Sequence, residues 1–170
     1  LRDGGSIQTI CADMRDLSVL APGSFDWVWQ PYSLNFVPDA RLVFAQVARV
    51  LKPGGRYRLS CANPFVAGLT ERDWNGDGYV LRRPYVDGAE LTYPDQPWVH
   101  DAGSAVPWPR EFRHTLSTLV NGLIDAGFLL EHLDDVSDVS PSASAEPGSW
   151  DHFTAVAPPW LTFWAARSHA

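Results

Sequence analysis

The hydrophobic pattern begins with a short β-branched run, SIQTICADM (6–14), which predicts a strand ending near Asp13. LSVLAPGSF then reads as a loop with a Pro-Gly turn. FDWVWQPYS (25–33) predicts a second strand, apolar on both faces as far as Val28 and Trp29. Strands of that kind belong to parallel sheets covered by helices on both sides. The period then lengthens. Phe44, Val47, Ala48 and Leu51 fall at i, i+3, i+4 and i+7, which predicts a helix over ARLVFAQVARVL with Asp39 as N-cap. Lys52 suits the negative end of that helix, and Pro53-Gly54-Gly55 stops it. RYRLSCAN (56–63) is the next strand. Strand, strand, helix, strand predicts α/β architecture.

Residues 64 to about 110 break the pattern, being rich in Trp, Pro, Gly, Asp and Tyr. They read as an insertion over the sheet edge, within a single domain spanning 1–170. GYVLRRPYVDGAELTYP predicts a hairpin turning at Asp87-Gly88. EFRHTLSTLVNGLIDAGF (111–128) predicts a helix with Phe112, Leu116, Leu119, Val120 and Leu123 on one side and Gly127 as its C-terminal cap. FLLEHLDDV is a strand, SPSASAEPGS (140–149) a solvated loop, and WLTFWAA the last strand. There is no internal repeat.

Composition narrows the function classes. The chain is 45% hydrophobic and 19% charged, an ordinary globular balance. Its net charge of −7 and lack of a basic patch argue against a nucleic-acid partner. The longest apolar run, FTAVAPPWLTFWAA, is short and broken by Pro158 and Pro159, so no membrane segment is expected. LRDGGS has neither the basic nor the apolar region of a signal peptide. Cys11 and Cys61 have no metal-ligand spacing and read as a reduced, cytoplasmic pair. A start at Leu1 rather than Met fits a piece of something longer, or a start that was not recorded. Most of the eight tryptophans and fourteen prolines fall after residue 64, which marks the back half as the specialised part.

Taken in order, CADMRDL, GSFDWVWQPYSLNFVPD, VARVLKPGGRYRLS, LIDAGF and PPWLTFWAARS resemble the back two-thirds of a class I S-adenosylmethionine-dependent methyltransferase of the small-molecule type. The resemblance implies a partial Rossmann-like sheet, strands 3 to 7 of the family with flanking helices, and a Trp/Pro-rich insertion. It implies S-adenosylmethionine as cofactor and methyl transfer to a small-molecule acceptor. In the family, an acidic residue ending the third strand holds the adenine amino group and the next residue offers its backbone to the ring. These positions match Asp13 and Met14. A carboxylate at a strand end accepts from an exocyclic amine, and an adjacent N–H donates to a ring nitrogen. Alternatively, Asp13 or Asp16 caps a turn. The loop under the methionine part of the cofactor matches Gln30, Pro31 and Tyr32, at the carboxyl end of a parallel strand, where α/β folds place ligands. Tyr32 reads equally as a packed aromatic. Asn35 matches a frequent substrate or cofactor contact, or else a turn residue.

The family's G-x-G-x-G loop and its second acidic residue, which binds the ribose, are not found in these 170 residues. Gly4-Gly5 has no strand before it and no helix after it. The family's sheet order is 3-2-1-4-5-7-6. Without strands 1 and 2, strand 4 becomes an exposed apolar edge. Three states are then open: upstream residues complete the sheet, strand 3 docks beside strand 4, or two chains form a homodimer through the 25–33 edge. A non-catalytic remnant acting as an interaction or dimerisation module is therefore the alternative to an enzyme. A nucleotide-binding oxidoreductase would need the same absent loop.

Other candidate chemistry lies in the back half. DWNGDG (73–78) resembles the start of a calcium loop, but its twelfth position, which needs a carboxylate, is Pro84; the pattern predicts a hairpin or Asx turn and no metal. His114 resembles a position facing the substrate, where a neutral imidazole takes a proton from the nucleophile. A hydrogen-bonded surface histidine is its other reading. Trp74, Trp98, Trp108 and Tyr85 are candidates for an aromatic wall around an apolar or cationic acceptor, or for a cap packing on the sheet.

Overall fold

Asp39 accepts from the Arg41 backbone N–H and starts the first helix, α1 (Ala40–Val50). A side-chain acceptor at this position satisfies one of the orphan donors of the first turn. Val43, Phe44, Val47 and Val50 are its buried face. The computed structural model describes residues 7–91, 110–135 and 144–169. Around α1 run β1 (Phe25–Gln30) and β2 (Leu51–Ala62), which pair in parallel. Later come β3 (Glu90–Leu91), β4 (Glu111–Phe112), α2 (Leu116–Asp125), β5 (Phe128–Asp134), α3 (Trp150–Val156) and β6 (Trp160–Arg167). The main sheet has the order β1-β2-β6-β5, with β6 antiparallel to both neighbours. This is the expected 4-5-7-6 part of the α/β sheet. β3 and β4 form a separate two-stranded sheet.

The core lies on one sheet face. Tyr57, Leu59 and Cys61 of β2 alternate inward, as do Leu161, Phe163 and Ala165 of β6, and they meet Phe44, Val47, Leu119 and Leu123 from the two helices. Burial pushes the Cys61 thiol up to about 12, so it stays a thiol and packs as a small hydrophobe. Cys11 is exposed.

Several sequence expectations need correction. Residues 7–14 form no strand and are mostly exposed. Ile7 and Ile10 have no sheet neighbour to bury them, so β-propensity alone does not hold the run. β1 is not buried on both faces: Phe25, Trp27 and Trp29 are 38%, 49% and 60% exposed, while Val28 and Gln30 face the core. Among the described residues β1 pairs only with β2 and is the sheet's edge, so strand 3 does not dock there. Lys-Pro-Gly-Gly is not a turn between helix and strand. Residues 52–55 bulge out of β2, so that Phe25 pairs with Leu51 but Trp27 with Arg56. Gly54, at φ +75°, supplies the left-handed residue that bulge needs.

Asp87-Gly88 does make a turn, yet residues 79–86 are not its first strand. After the turn, Glu90–Leu91 pairs with Glu111–Phe112 instead. The helix expected from residue 111 starts at Leu116, because Thr115 caps it and residues 111–112 are claimed by β4. WDHFTAV, unassigned by the sequence pattern, is α3, capped by Ser149. Trp98, Trp108 and part of the 140–149 loop lie outside the described residues.

Candidate functional site

The carboxyl end of β1 gathers most of the sequence candidates. Gln30, 8% exposed, ends the strand. Its Nε2 donates to the Met14 sulfur at 3.4 Å, and its Oε1 accepts a short hydrogen bond from the buried Tyr57 hydroxyl. Pro31 is exposed and leads into Tyr32. Tyr32 has φ +50°, the sole positive φ outside glycine among the described residues. A non-glycine residue in this region costs about 1 kcal/mol or more and persists where the surroundings over-determine it. Two contacts do so. The Tyr32 N–H donates to Ser60 O at 2.9 Å, and its hydroxyl donates to Glu111 Oε2 at 3.1 Å.

Asn35 lies in the following 3₁₀ turn (Ser33–Phe36) and is 1% exposed. Its Oδ1 accepts from Ala62 N–H at 2.8 Å and its Nδ2 donates to Phe112 O at 3.1 Å. The amide therefore ties the end of β2 to β4. His114, 2% exposed, is not at the surface; its Nε2 donates to Leu34 O at 3.2 Å. Nδ1 has no hydrogen-bond partner among the described residues. Burial holds its pKa below the ordinary histidine value, partly offset by the Leu34 carbonyl. The imidazole is neutral near pH 7, with Nδ1 the bare nitrogen.

This gives a sign for stability against pH. The folded state resists protonating His114, whereas the unfolded chain takes the proton near pH 6.5. The His114 contribution is thus complete above about pH 7 and is lost as pH falls. The urea midpoint should drop between about pH 7.5 and about pH 5.5. His114→Gln keeps a donor for Leu34 and should flatten that drop. An unchanged slope in the variant would assign the pH dependence to other groups.

Asp13 stands apart from this buried cluster. It is exposed, and the Arg15 side chain and backbone bind it, with Arg15 Nη2 2.6 Å from Oδ2. That pairing holds the carboxyl down to about 2, so Asp13 is ionised. A carboxylate so engaged keeps lone pairs for a further donor.

The insertion splits the aromatic candidates. Trp74 packs edge-on against Tyr79 and His152 and over Gly148. Tyr85 stacks on Phe65 at 5.2 Å, and the Arg113 guanidinium lies 5.8 Å from its ring centroid. Asn75 Oδ1 accepts from the backbone N–H of Asp77 and Gly78, so DWNGDG closes as an Asx turn. Glu111 and Arg113, buried beside Tyr32 and Tyr85, were not legible as site residues. They sit in a stretch read as helix, but Glu111 belongs to β4 and Arg113, just after it, donates its backbone N–H to Ala89 O at 2.9 Å.

Residues 1–59 match the methyltransferase domain family. The chain is 34% identical over 131 residues to the uncharacterised methyltransferase YbaJ of Bacillus subtilis, covering 76% of this chain and 50% of that protein. It is 28% identical over 141 residues to a ubiquinone biosynthesis O-methyltransferase of Xanthomonas euvesicatoria, covering 72% and 57%. The chain thus spans about half the length of these curated relatives. An S-adenosylmethionine-dependent methyltransferase structure from Mesorhizobium loti superposes with a TM-score of 0.61 at 25% identity, covering 92% of this chain and 67% of that one.

Proposed function

Since the chain belongs to the class I S-adenosylmethionine-dependent methyltransferases, we propose that it carries the acceptor side, and part of the cofactor side, of an enzyme that methylates a small molecule. The observation that carries the reading is the convergence of Met14, Gln30 and the strained Tyr32 at the carboxyl end of β1, within the residues that match the family. Backbone forced into a sparsely populated conformation clusters at ligand sites. Met14, Gln30, Pro31 and Tyr32 would line the cofactor, and Asp13 would accept from its adenine amine. The bound group supplies a methyl already activated on a sulfonium. What falls to this chain is orientation and exclusion of water. Gln30, fixed between Met14 and Tyr57, is a rigid wall. Tyr32 and Glu111 join that wall to the insertion. His114, with Nδ1 unprotonated near neutral pH, would be the general base although burial opposes its protonation, while Asn35 holds the two elements in register.

The test is calorimetric titration of the protein, as its natural source makes it, with S-adenosylhomocysteine, alongside its mass by light scattering. We expect one site per chain and a raised Tm on binding. A protein that binds none, and forms a dimer dissolved by Trp27→Glu with Trp29→Glu, would instead be an interaction module. The exposed indoles of the β1 edge favour that second reading. Among the described residues no helix is long and apolar enough to cross a membrane. Separately, the reading of Cys11 and Cys61 as reduced thiols leads us to propose a cytoplasmic location.

A further inference from the structure

We propose that the arginine-lined pocket of the insertion receives the acceptor as an anion: an apolar body carrying a carboxylate or phosphate head group. This deepens the methyltransferase reading and rests on it for the word acceptor.

The pocket has a volume of about 340 Å³, within the range of about 300–1,000 Å³ usual for small-molecule sites. Phe65, Val80 and Tyr85 give it apolar walls. Among the described residues, three arginines, Arg82, Arg83 and Arg113, line it against one acidic residue, Asp73. Asp73 Oδ2 already accepts from the Thr70 N–H at 2.9 Å, closing a capping box. The chain as a whole carries −7, so this concentration of positive charge runs against its average.

Arg113 is 4% exposed, and its position is fixed. Nη1 donates to Pro84 O at 2.6 Å and Nη2 to Ala67 O at 2.7 Å, while Tyr85 lies over the guanidinium. Arg82 and Arg83, which also line it, are exposed. Guanidinium groups suit carboxylate and phosphate through paired, charge-assisted hydrogen bonds. A cationic acceptor, one of the options the aromatic residues left open, would meet three like charges.

The pocket adjoins the carboxyl end of the sheet. Ala67, one of its lining residues, packs in a small cluster with Leu91 and with Ala62, the last residue of β2; Tyr32 packs against that cluster. A ligand in the pocket therefore lies one layer of side chains from the strained turn after β1.

The probes are 4-phenylbutyrate, phenyl phosphate, 4-phenylbutanol and 4-phenylbutylamine, titrated calorimetrically into the natural protein with and without S-adenosylhomocysteine. We expect at least one of the two anions to bind about tenfold or more tighter than the alcohol, with the amine weakest. The butyrate-to-phosphate ratio identifies the head group. Arg82→Gln with Arg83→Gln should cost about tenfold for the anion and leave the alcohol unchanged. Arg113 is left intact because its guanidinium holds two backbone carbonyls. Arg56→Gln, which removes one exposed charge on the amino-terminal part of β2, should change nothing. Equal binding of anion and alcohol, or loss of anion binding in Arg56→Gln as large as in the pocket variant, overturns the proposal. Anion binding by a protein that does not itself bind S-adenosylhomocysteine keeps the anion site and sinks the methyltransferase reading alone.

Discussion

Replacing Asn35 with alanine is expected to cost about 2–4 kcal/mol of folding stability, read as a lower urea midpoint with an unchanged slope. The residue is 1% exposed, and its amide satisfies two backbone groups that belong to different elements. Truncation leaves the Ala62 N–H and the Phe112 carbonyl buried without that partner, and each such loss costs about 1–3 kcal/mol. The two ends of the amide are not interchangeable. Ala62 offers a donor and Phe112 an acceptor, so Asn35→Asp preserves the first contact and sets a carboxylate oxygen against the Phe112 carbonyl. Asn35→Asp should therefore be at least as damaging as alanine at pH 7 and recover partly in mild acid, where the protonated carboxyl donates again. Equal stability of Asn35→Ala and the parent would show that the amide is dispensable to the β2–β4 junction.

The origin of Asn35's burial separates what the sequence carried from what it did not. Helix α1 was legible because its cap and its apolar face are local, whereas the stop expected at Pro53-Gly54-Gly55 falls inside β2. The strands at 56–62 and 160–167 were legible because they alternate over a core. Order in the sheet came from resemblance, since no local signal says that β6 runs between β2 and β5. The run at 6–14 misled because β-branched residues fit a strand only when a neighbour is present to pair with. Trp27 and Trp29 misled in the opposite sense: an unbroken apolar run implied two covered faces, but one face is open among the described residues. At the site, Gln30 and Tyr32 were found by their place at a strand end. Glu111 was hidden because a two-residue strand, paired with Glu90–Leu91, has no periodicity to read, and Arg113 because it follows that strand in a stretch read as helix. The three arginines of the pocket, Arg82, Arg83 and Arg113, come from two segments about thirty residues apart and meet only in three dimensions.

The second large effect is expected at the contact between the two helices that cover the sheet. Phe44 is 0% exposed, its ring 6.5 Å from that of Tyr57 in an edge-on pair. Phe44→Ala should cost about 3–5 kcal/mol, from lost burial and the cavity left behind. The cavity will not close easily, because the neighbour across it is Gly122 of α2, where a Cβ would sit 3.0 Å from two carbons of the Phe44 ring. That proximity makes the pair testable as a unit. Gly122→Ala alone gains about 1 kcal/mol of helix propensity, but pushes a methyl into a ring that cannot retreat. It should be neutral to destabilising by about 1 kcal/mol. In the Phe44→Ala background the same methyl enters the vacated space, and the propensity gain is realised. The double-mutant cycle should therefore show a favourable coupling of about 1 kcal/mol or more. Additive effects would mean that α2 shifts to accommodate either change. The consequence reaches the site, because Tyr57 is the residue whose hydroxyl fixes Gln30, and Gln30 in turn meets Met14. Phe44→Ala removes the edge-on partner of Tyr57, so S-adenosylhomocysteine binding should weaken in step with the loss of stability, although Phe44 lies in the helix-covered core. Gly122→Ala in that background should restore part of both.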